Sequence, residues 1–368
     1  MLYFDYSATT PADQRVMKAF VKAAESFGNY NSSHDIGLKT KSMLDTALQS
    51  CRRSLKAEEF ELIYTSGASE SNNLAIKGYC AAKGKGRIIT TWFEHSSVVS
   101  PISYLQKKGF GVDFVRTKPN GEIDLEHLKS LLSQATVLVC LSLVSSELGY
   151  VQPLADVRRL LLDFPNAALH VDATQAVGKA ATDFSYADTV SISAHKLYGF
   201  KGIGILLKKK GIRLEKQICG GHSVNDYRSG TPANELIVSM AKALELAENE
   251  GQIRNEKVKS LRKKLEDGLA DMPDYCLNNP GSVPHIANIS LPGRSSKNIQ
   301  EYLSRQGVCV SAGSACSASD HSIAVLKHTG EYLKAESCFR VSLSHLTTEE
   351  EISTLLKVLH LLRTEVSL

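Results

Sequence analysis

Leu169-His-Val-Asp-Ala-Thr-Gln-Ala-Val-Gly178 and Ser191-Ile-Ser-Ala-His-Lys-Leu-Tyr-Gly199 are two similar stretches of this sequence. Each begins as a short apolar run that is typical of a buried strand and ends in a turn that contains glycine. Asp172 ends the first run, and Lys196 directly follows the second. Because open α/β sheets bind ligands at the carboxyl ends of their strands, the two stretches predict a carboxylate and an amine at one sheet edge.

Short β-branched runs alternate with amphipathic stretches from about residue 60 to about residue 210. This alternation predicts βαβ units and a mainly parallel sheet with helices on both faces. The candidate strands are Glu61–Thr65, Arg87–Thr91, Gly111–Val115, Thr136–Leu143, Ala168–Asp172, Thr189–Ser193 and Ile203–Leu207.

The pattern changes after Thr231 to a long charged helix that reaches about Leu269. Strand and helix patterns follow, including His285–Ser290 and Arg340–Ser344. We therefore predict an α/β fold: a large domain of residues 14–250 with a mainly parallel sheet, and a smaller α+β domain of residues 1–13 and 251–368.

Composition limits the classes of function. The chain has 368 residues, of which 43% are apolar, and its net charge is only +4, with basic and acidic residues interleaved. Nucleic acid is therefore not an expected direct partner. No apolar stretch approaches the roughly 18 residues of a membrane span, and the N-terminus carries an acid where a signal peptide carries basic residues. We expect a cytoplasmic protein without membrane contact.

The eight cysteines include no C-x-x-C pair, which argues against a structural zinc site and a disulfide framework. No metal site is expected. Cys51, Cys80 and Cys140 fall in apolar patterns and are expected to be buried thiols. Cys316 lies instead in a segment of small residues, which does not suit a packed core.

The segment Tyr64-Thr-Ser-Gly-Ala-Ser-Glu-Ser-Asn-Asn-Leu-Ala-Ile-Lys77 predicts a strand, a tight turn and a helix. Its small residues, which include Ala68 and Ser69, leave backbone N–H groups unobstructed at a helix N-terminus, where a phosphate binds well. The alternative is an ordinary capping box in which Ser69 or a neighbour is the N-cap. This segment alone does not separate the two.

Asp172 needs a cationic partner if it is buried, because an unpaired buried charge is costly. The pyridinium nitrogen of pyridoxal phosphate is such a partner, and Gln175 lies close enough in sequence to bind the ring hydroxyl. A helix N-cap is the alternative for Asp172. Lys196 is suited to a Schiff base with the cofactor aldehyde, and Ser193 and His195 beside it can donate to the phosphate.

These residues and several further motifs resemble fold-type-I pyridoxal-phosphate enzymes, and within them the NifS-like cysteine desulfurases of the class-V aminotransferase group. The resemblance covers essentially the whole chain. Its motifs are Tyr3 to Pro11, Phe27-Gly-Asn29 with Ser32-Ser-His34, the phosphate loop, Glu94-His95, Val171 to Gln175, Ser193 to Lys196, Arg228-Ser-Gly-Thr231, Ser311 to Cys316 and Arg340-Val-Ser342.

The resemblance implies roles for the matching positions. Lys196 and His95 would be catalytic, with His95 stacked on the pyridine ring, and Cys316 would be the nucleophile on a mobile loop. Arg340 would bind the substrate carboxylate through a bidentate fork, with Asn29 also on the substrate. The implied cofactor-binding residues are Ala68, Ser69, Ser146, Asp172, Gln175, Ser193, His195 and Thr231. Thr231 would reach the phosphate of a neighbouring subunit, which implies a homodimer.

The implied activity is conversion of L-cysteine to L-alanine, with a persulfide on Cys316 passed to a sulfur-acceptor protein or scaffold, as in iron-sulfur cluster assembly or tRNA thiolation. Selenocysteine lyase activity, another β-elimination or transamination, and a degenerate scaffold without turnover remain alternatives. One departure favours the scaffold. Family members carry two asparagines before the Glu-x-Gly motif, whereas this chain has Ser145 and Ser146 before Glu147-Leu-Gly149.

Overall fold

The computed structural model describes residues 1–221, 223–312 and 320–364. The strands are β1 Leu2–Tyr3, β2 Phe60–Thr65, β3 Arg87–Thr90, β4 Gly111–Phe114, β5 Thr136–Ser142, β6 Ala168–Asp172, β7 Thr189–Ser193, β8 Gly204–Lys209, β9 Cys276–Leu277, β10 Ile286–Ser290, β11 Val308–Cys309, β12 Ser311–Ala312 and β13 Cys338–Ser342. The helices are α1 Gln14–Ala24, α2 Asp35–Ser54, α3 Ala68–Lys83, α4 Ser96–Lys107, α5 Leu125–Leu131, α6 Leu154–Leu161, α7 Asn234–Ala270, α8 Ser296–Arg305, α9 Ile323–Thr329, α10 Tyr332–Ser337 and α11 Glu349–Thr364.

The central sheet has the order β2-β8-β7-β6-β5-β3-β4. β8 runs antiparallel to both of its neighbours, and every other pairing in this sheet is parallel. The predicted mainly parallel α/β sheet is therefore confirmed. Six of its seven strands were predicted to within a residue at each end, and only β8, which runs on to Lys209, extends further.

Both faces of the central sheet are covered, because its strands are apolar on both sides. Along β5, Leu138 and Cys140 pack on the face covered by α3 and α4. Val139 and Leu141 pack on the opposite face, against α2, α6 and α7. Burial of one such side chain contributes about 1.5–3 kcal/mol, so the alternating residues of one strand hold three layers together.

A second core lies beside the sheet. It is built on the antiparallel order β12-β13-β10-β9 and on the parallel pair β1-β11. Phe4, from the N-terminal segment, is fully buried there with Phe339 and Leu265. α7 contributes side chains to both cores, and the predicted boundary at residue 250 falls within it. The division into two domains remains a prediction.

The buried cysteines follow the expectation from the sequence. Cys51, Cys80 and Cys140 are fully buried free thiols. Burial raises the pKa of Cys51 and of Cys80 to about 12, so both stay protonated and unreactive at neutral pH. Over the described ranges, no helix combines the length and the apolar character that crossing a membrane requires.

Candidate active site

A cavity of about 720 Å³ opens at the carboxyl ends of β5, β6 and β7. It collects most of the residues that the sequence predicts for the site, namely Ala68, Ser69, His95, Ser146, Asp172, Gln175, Ser193, His195, Lys196 and Arg340. Asn29 and Thr231 are exposed and are not among the lining residues. Cys316 lies outside the described residues.

Asp172 is the last residue of β6 and is only 6% exposed. Its Oδ1 accepts from the Thr174 N–H at 2.9 Å, and its Oδ2 accepts from Asn72 Nδ2 at 2.8 Å. The residues that follow form turns, so the alternative that Asp172 caps a helix is wrong. No basic group of the described chain forms a salt bridge with Asp172, which leaves a buried carboxylate facing the cavity without a cation.

The N-terminus of α3 lies at the cavity, in the segment where the sequence predicts a phosphate cradle. Gly67 is the N-cap, with φ at 151°, and no side chain caps the helix. Ser69 lies inside the helix, so Ser69 as the N-cap of a capping box is wrong, and the N-cap Gly67 has no side chain to complete one. Glu70 Oε2 nevertheless accepts from the Ser66 N–H at 2.7 Å, just before the helix. Gly204 of β8 passes so close that a Cβ on it would lie 2.7 Å from Gly67 Cα. Gly67, Ala68 and Ser69 line the cavity, which puts the N-terminus of α3 where an anion in the cavity could bind.

Lys196 ends a short 3-10 turn, Ala194–Lys196, directly after β7. Its Nζ donates to the carbonyl oxygens of Ser7 at 2.5 Å and Ala8 at 2.7 Å. These carbonyls orient the amine at the cavity wall. Burial and then the adjacent positive charge of Lys196 lower the pKa of His195 to about 4, so His195 is neutral there.

His95 is the N-cap of α4, and its Nδ1 accepts from the Ser97 N–H at 3.1 Å. Because Nδ1 accepts, the proton of the neutral ring sits on Nε2. Desolvation lowers the pKa of His95, which the nearby Asp172 carboxylate partly offsets. The ring therefore borders the cavity in its neutral form at neutral pH.

Gln175 and Arg340 are among the cavity-lining residues that have a buried polar atom without a partner in the described chain. Gln175 Nε2 donates to the Ser7 carbonyl at 2.9 Å, but Gln175 Oε1 accepts no hydrogen bond. Arg340 Nη1 donates to the Ser146 carbonyl at 2.8 Å, and Nη2 donates to Asp5 Oδ1 and to Ser311 Oγ. Arg340 Nε has no acceptor. Unpaired buried groups of this kind indicate a ligand that is polar at both positions.

Sequence reasoning gave no role to two acids that line the cavity, although both belong to quoted motifs. Glu94 accepts from Thr91 Oγ1 and Ser142 Oγ, each at 2.7 Å. Glu147 accepts from Ser322 Oγ at 2.5 Å, and burial raises its pKa. Adjacency to His95 was the available signal for Glu94. The carbonyls of Ser7 and Ala8 carried no signal, because a backbone oxygen is independent of side-chain type.

Comparisons with known proteins agree with this geometry. A family model described as aminotransferase class-V matches residues 2–355. A cysteine desulfurase IscS from Dechloromonas aromatica is 38% identical over 373 residues, covering 98% of this chain and 91% of that protein. The chain belongs to the class-V aminotransferase family.

Two solved structures related to this class-V aminotransferase chain extend the comparison. A NifS-like protein superimposes with a TM-score of 0.92 at 32% identity, covering 99% of this chain and 100% of that one. SspA in complex with cysteine superimposes with a TM-score of 0.81 at 28% identity, covering 95% of this chain and all of that one. Both likenesses extend over the large sheet and the second core alike.

Members of the class-V aminotransferase family use pyridoxal phosphate. The residues present fit that group. Asp172 lacks the cation that a pyridinium nitrogen supplies, and Gln175 Oε1 lacks the donor that a ring hydroxyl supplies. The cradle at Gly67 faces the same cavity and suits the phosphate.

Glu94 gives the stability of the fold a predictable pH dependence. Burial raises its pKa from 4.5 to about 7, against the opposing hydrogen bonds from Ser142 and Thr91. The folded state thus binds this proton more tightly, so the stabilisation is complete below about pH 4.5 and is lost as pH rises through about 7. Relative to the wild type, Glu94→Gln should gain about 2–3 kcal/mol of unfolding free energy between pH 5 and pH 8.

Urea unfolding at both pH values measures this difference. Glu59→Gln, which changes an exposed glutamate, is the matched control and should leave the pH profile unchanged. An unfolding free energy of Glu94→Gln that runs parallel to that of the wild type across this range would contradict the assignment.

Proposed function

We propose that this chain is a pyridoxal-phosphate-dependent cysteine desulfurase, which takes sulfur from L-cysteine, releases L-alanine and forms a persulfide on Cys316. The observation that carries the proposal is that Lys196, Asp172 and Arg340 line one cavity, although they are far apart in sequence. The relatives named cysteine desulfurase, matched over nearly the whole chain, support the same reaction.

The chain's own residues would hold the cofactor at three places. The N–H groups of Ala68 and Ser69, with Ser193 and His195, would hold the phosphate. Asp172 would keep the ring nitrogen protonated, and Gln175 would bind the ring hydroxyl. The aldehyde would be attached to Lys196 Nζ. When bound, pyridoxal phosphate supplies an electron sink that stabilises negative charge at the substrate Cα and weakens the bond from Cβ to sulfur.

Arg340 would orient the substrate. Its Nε has no acceptor in the described chain, whereas both Nη atoms are already engaged. The expected fork through the guanidinium would therefore use Nε together with an Nη that is shared with Asp5 or Ser311. Bound cysteine in the related SspA supports a site of this size and polarity. With the carboxylate fixed, Lys196 Nζ would move the proton at the substrate Cα.

Sulfur transfer would use the thiolate of Cys316. Its sulfur attacks the sulfur of the substrate, the bond from that sulfur to Cβ breaks, and the electron pair returns to carbon, which is then protonated to give alanine. The reaction is balanced, because cysteine and one protein thiol give alanine and one protein persulfide. No external oxidant or reductant is needed until the persulfide sulfur passes to an acceptor.

We also propose a homodimer that completes the site. Thr231 is exposed and lies outside the cavity of its own protomer, as a residue that serves a neighbouring subunit must. Several large apolar side chains near the N-terminus are exposed, including Val21, Phe27 and Leu38, and a subunit interface would cover them. Asn29 lies in this region, and its substrate-binding role remains a prediction. The sulfur acceptor and the cytoplasmic location likewise remain predictions.

The decisive experiment is incubation of the purified protein with L-cysteine, followed by alanine quantification and peptide mass spectrometry. A desulfurase gives alanine and a peptide that carries one extra sulfur atom on Cys316. Sulfide without sulfur on Cys316 would favour simple β-elimination. Failure to form alanine in the presence of bound cofactor would favour the scaffold alternative, which the serines at 145 and 146 suggest. Parallel assays with L-selenocysteine test the alternative that the chain is a selenocysteine lyase.

A further inference from the structure

Asn72 lies on α3, is fully buried, and makes three hydrogen bonds through its side-chain amide. Its Nδ2 donates to Asp172 Oδ2 and to Ser97 Oγ, both at 2.8 Å. Its Oδ1 lies 2.9 Å from His170 Nε2. Ser97 Oγ in turn lies 2.9 Å from His95 Nδ1. One amide therefore joins the carboxylate and the imidazole that border the candidate cofactor site.

We propose that Asn72 is a positioning residue that holds Asp172 and His95 in a fixed relation, so that the two contact opposite parts of the cofactor ring together. His170 is a second positioning residue, because it sets the orientation of the Asn72 amide. This inference rests on the proposed function and adds to it two residues that touch neither cofactor nor substrate.

The orientation of the amide follows from the donors and acceptors around it. The Asp172 carboxylate only accepts, so an amide NH₂ must face it. Asn72 Oδ1 then faces His170 and needs a donor there. Burial lowers the pKa of His170 to about 4, against the opposing charge of Asp172, so the ring is neutral and carries one N–H. Nδ1 of His170 lies 2.9 Å from Thr189 Oγ1, which can donate to it, and the ring proton is left on Nε2.

Exchanging the oxygen and the NH₂ of the Asn72 amide would be unfavourable at both positions. Its oxygen would lie against the carboxylate of Asp172, and its NH₂ would meet the N–H of His170. In a buried site each such mismatch leaves a polar group unsatisfied, at about 1–3 kcal/mol. His170 and Thr189 therefore hold the amide in the one orientation that donates to Asp172. A satisfied network of this kind is rigid, whereas a partly satisfied one is not.

The consequence for the cofactor is preorganisation. Asp172 ends β6 and His95 follows β3, and β5 lies between these two strands in the sheet order. Without the bridge, the two side chains would have to be ordered when the cofactor binds. That free energy would be subtracted from the binding free energy.

The test compares Asn72→Leu with the wild-type protein. Leucine keeps the approximate volume and removes all three hydrogen bonds. We expect the dissociation constant for pyridoxal phosphate, titrated into the stripped full-length protein, to rise about 10- to 100-fold. We also expect the circular dichroism band of the bound cofactor to weaken, because the ring is held less firmly. Asn73→Leu is the matched control on the next residue, whose side chain bonds only to the Ser69 carbonyl, and both readouts should be unchanged.

A second pair of variants keeps the test decisive if Asn72→Leu fails to fold. His170→Gln retains a donor to Asn72 Oδ1, whereas His170→Leu removes it, so only the leucine variant should weaken cofactor binding. The inference would be overturned if the two His170 variants had the same cofactor affinity and the same dichroism. It would also be overturned if a folded Asn72→Leu matched the wild type in both measurements. Wild-type protein that binds no pyridoxal phosphate would instead overturn the proposed function, so the two failures are distinguishable.

Discussion

Lys196→Ala is expected to lower cysteine turnover by on the order of 10⁴-fold or more, because one atom would perform two tasks. Nζ would hold the cofactor covalently and would move the proton at the substrate Cα. The carbonyls of Ser7 and Ala8 hold this Nζ at the wall of the cavity, in the position that both tasks require. The measurement is alanine release from L-cysteine at saturating pyridoxal phosphate.

Borohydride treatment separates a lost attachment from a lost fold. The wild type should retain the reduced cofactor on the peptide that contains Lys196, and Lys196→Ala should retain none. Lys201→Ala removes another lysine that borders the same cavity, and it should keep the covalently bound cofactor on Lys196. Cofactor fixed to any lysine other than Lys196 in the wild type would contradict the assignment.

The sheet edge was predictable because the signals there are local. β6 and β7 are buried on both faces, so their sequences are short apolar runs with clear ends, and both were predicted without error. Parallel strands then bring the residues after those ends to one edge, whatever the rest of the chain does. Two short segments and this one geometric rule were therefore enough to predict that Asp172 and Lys196 lie at the same sheet edge.

The remaining geometry depends on contacts between distant segments. Arg340 is held by Asp5 across 335 positions, and Lys196 is held by Ser7 across 189 positions. Neither contact follows from periodicity, because each requires the second core to be docked against the sheet. The resemblance named Arg340 as the carboxylate site, but the packing shows that Nε is the unoccupied donor. The role of Asn72 was not predicted for the same reason, because its hydrogen-bond partner His170 lies 98 positions away.

The ends of strands outside the central sheet were also predicted less well. The segment Arg340–Ser344 was expected to be the strand, but β13 is Cys338–Ser342. Cys338 pairs with Ser290 at the far end of β10, and this register extends the strand toward the N-terminus. Pairing with a partner strand overrides the local pattern at short strands, because the hydrogen bonds come from the partner.

Cys316→Ser is expected to stop sulfide production at an early step. The variant should bind pyridoxal phosphate and L-cysteine as the wild type does, because none of the residues that contact them is changed. Reductant-dependent sulfide release should fall by about 10³-fold, since a serine hydroxyl is far less nucleophilic than a thiolate and forms no persulfide. The measurement is sulfide and alanine from the same reaction, with cofactor absorbance recorded in parallel.

The buried cysteines of the described chain are poor substitutes for Cys316. Burial raises the pKa of Cys338 to about 12, as it does for Cys51 and Cys80, so these thiols remain protonated at neutral pH. Cys219 is exposed, and Cys219→Ser is therefore the matched control, which should release sulfide at the wild-type rate. If Cys316→Ser also kept that rate, sulfur would be leaving by β-elimination, and the persulfide step would have to be abandoned while Lys196 and Asp172 kept their roles.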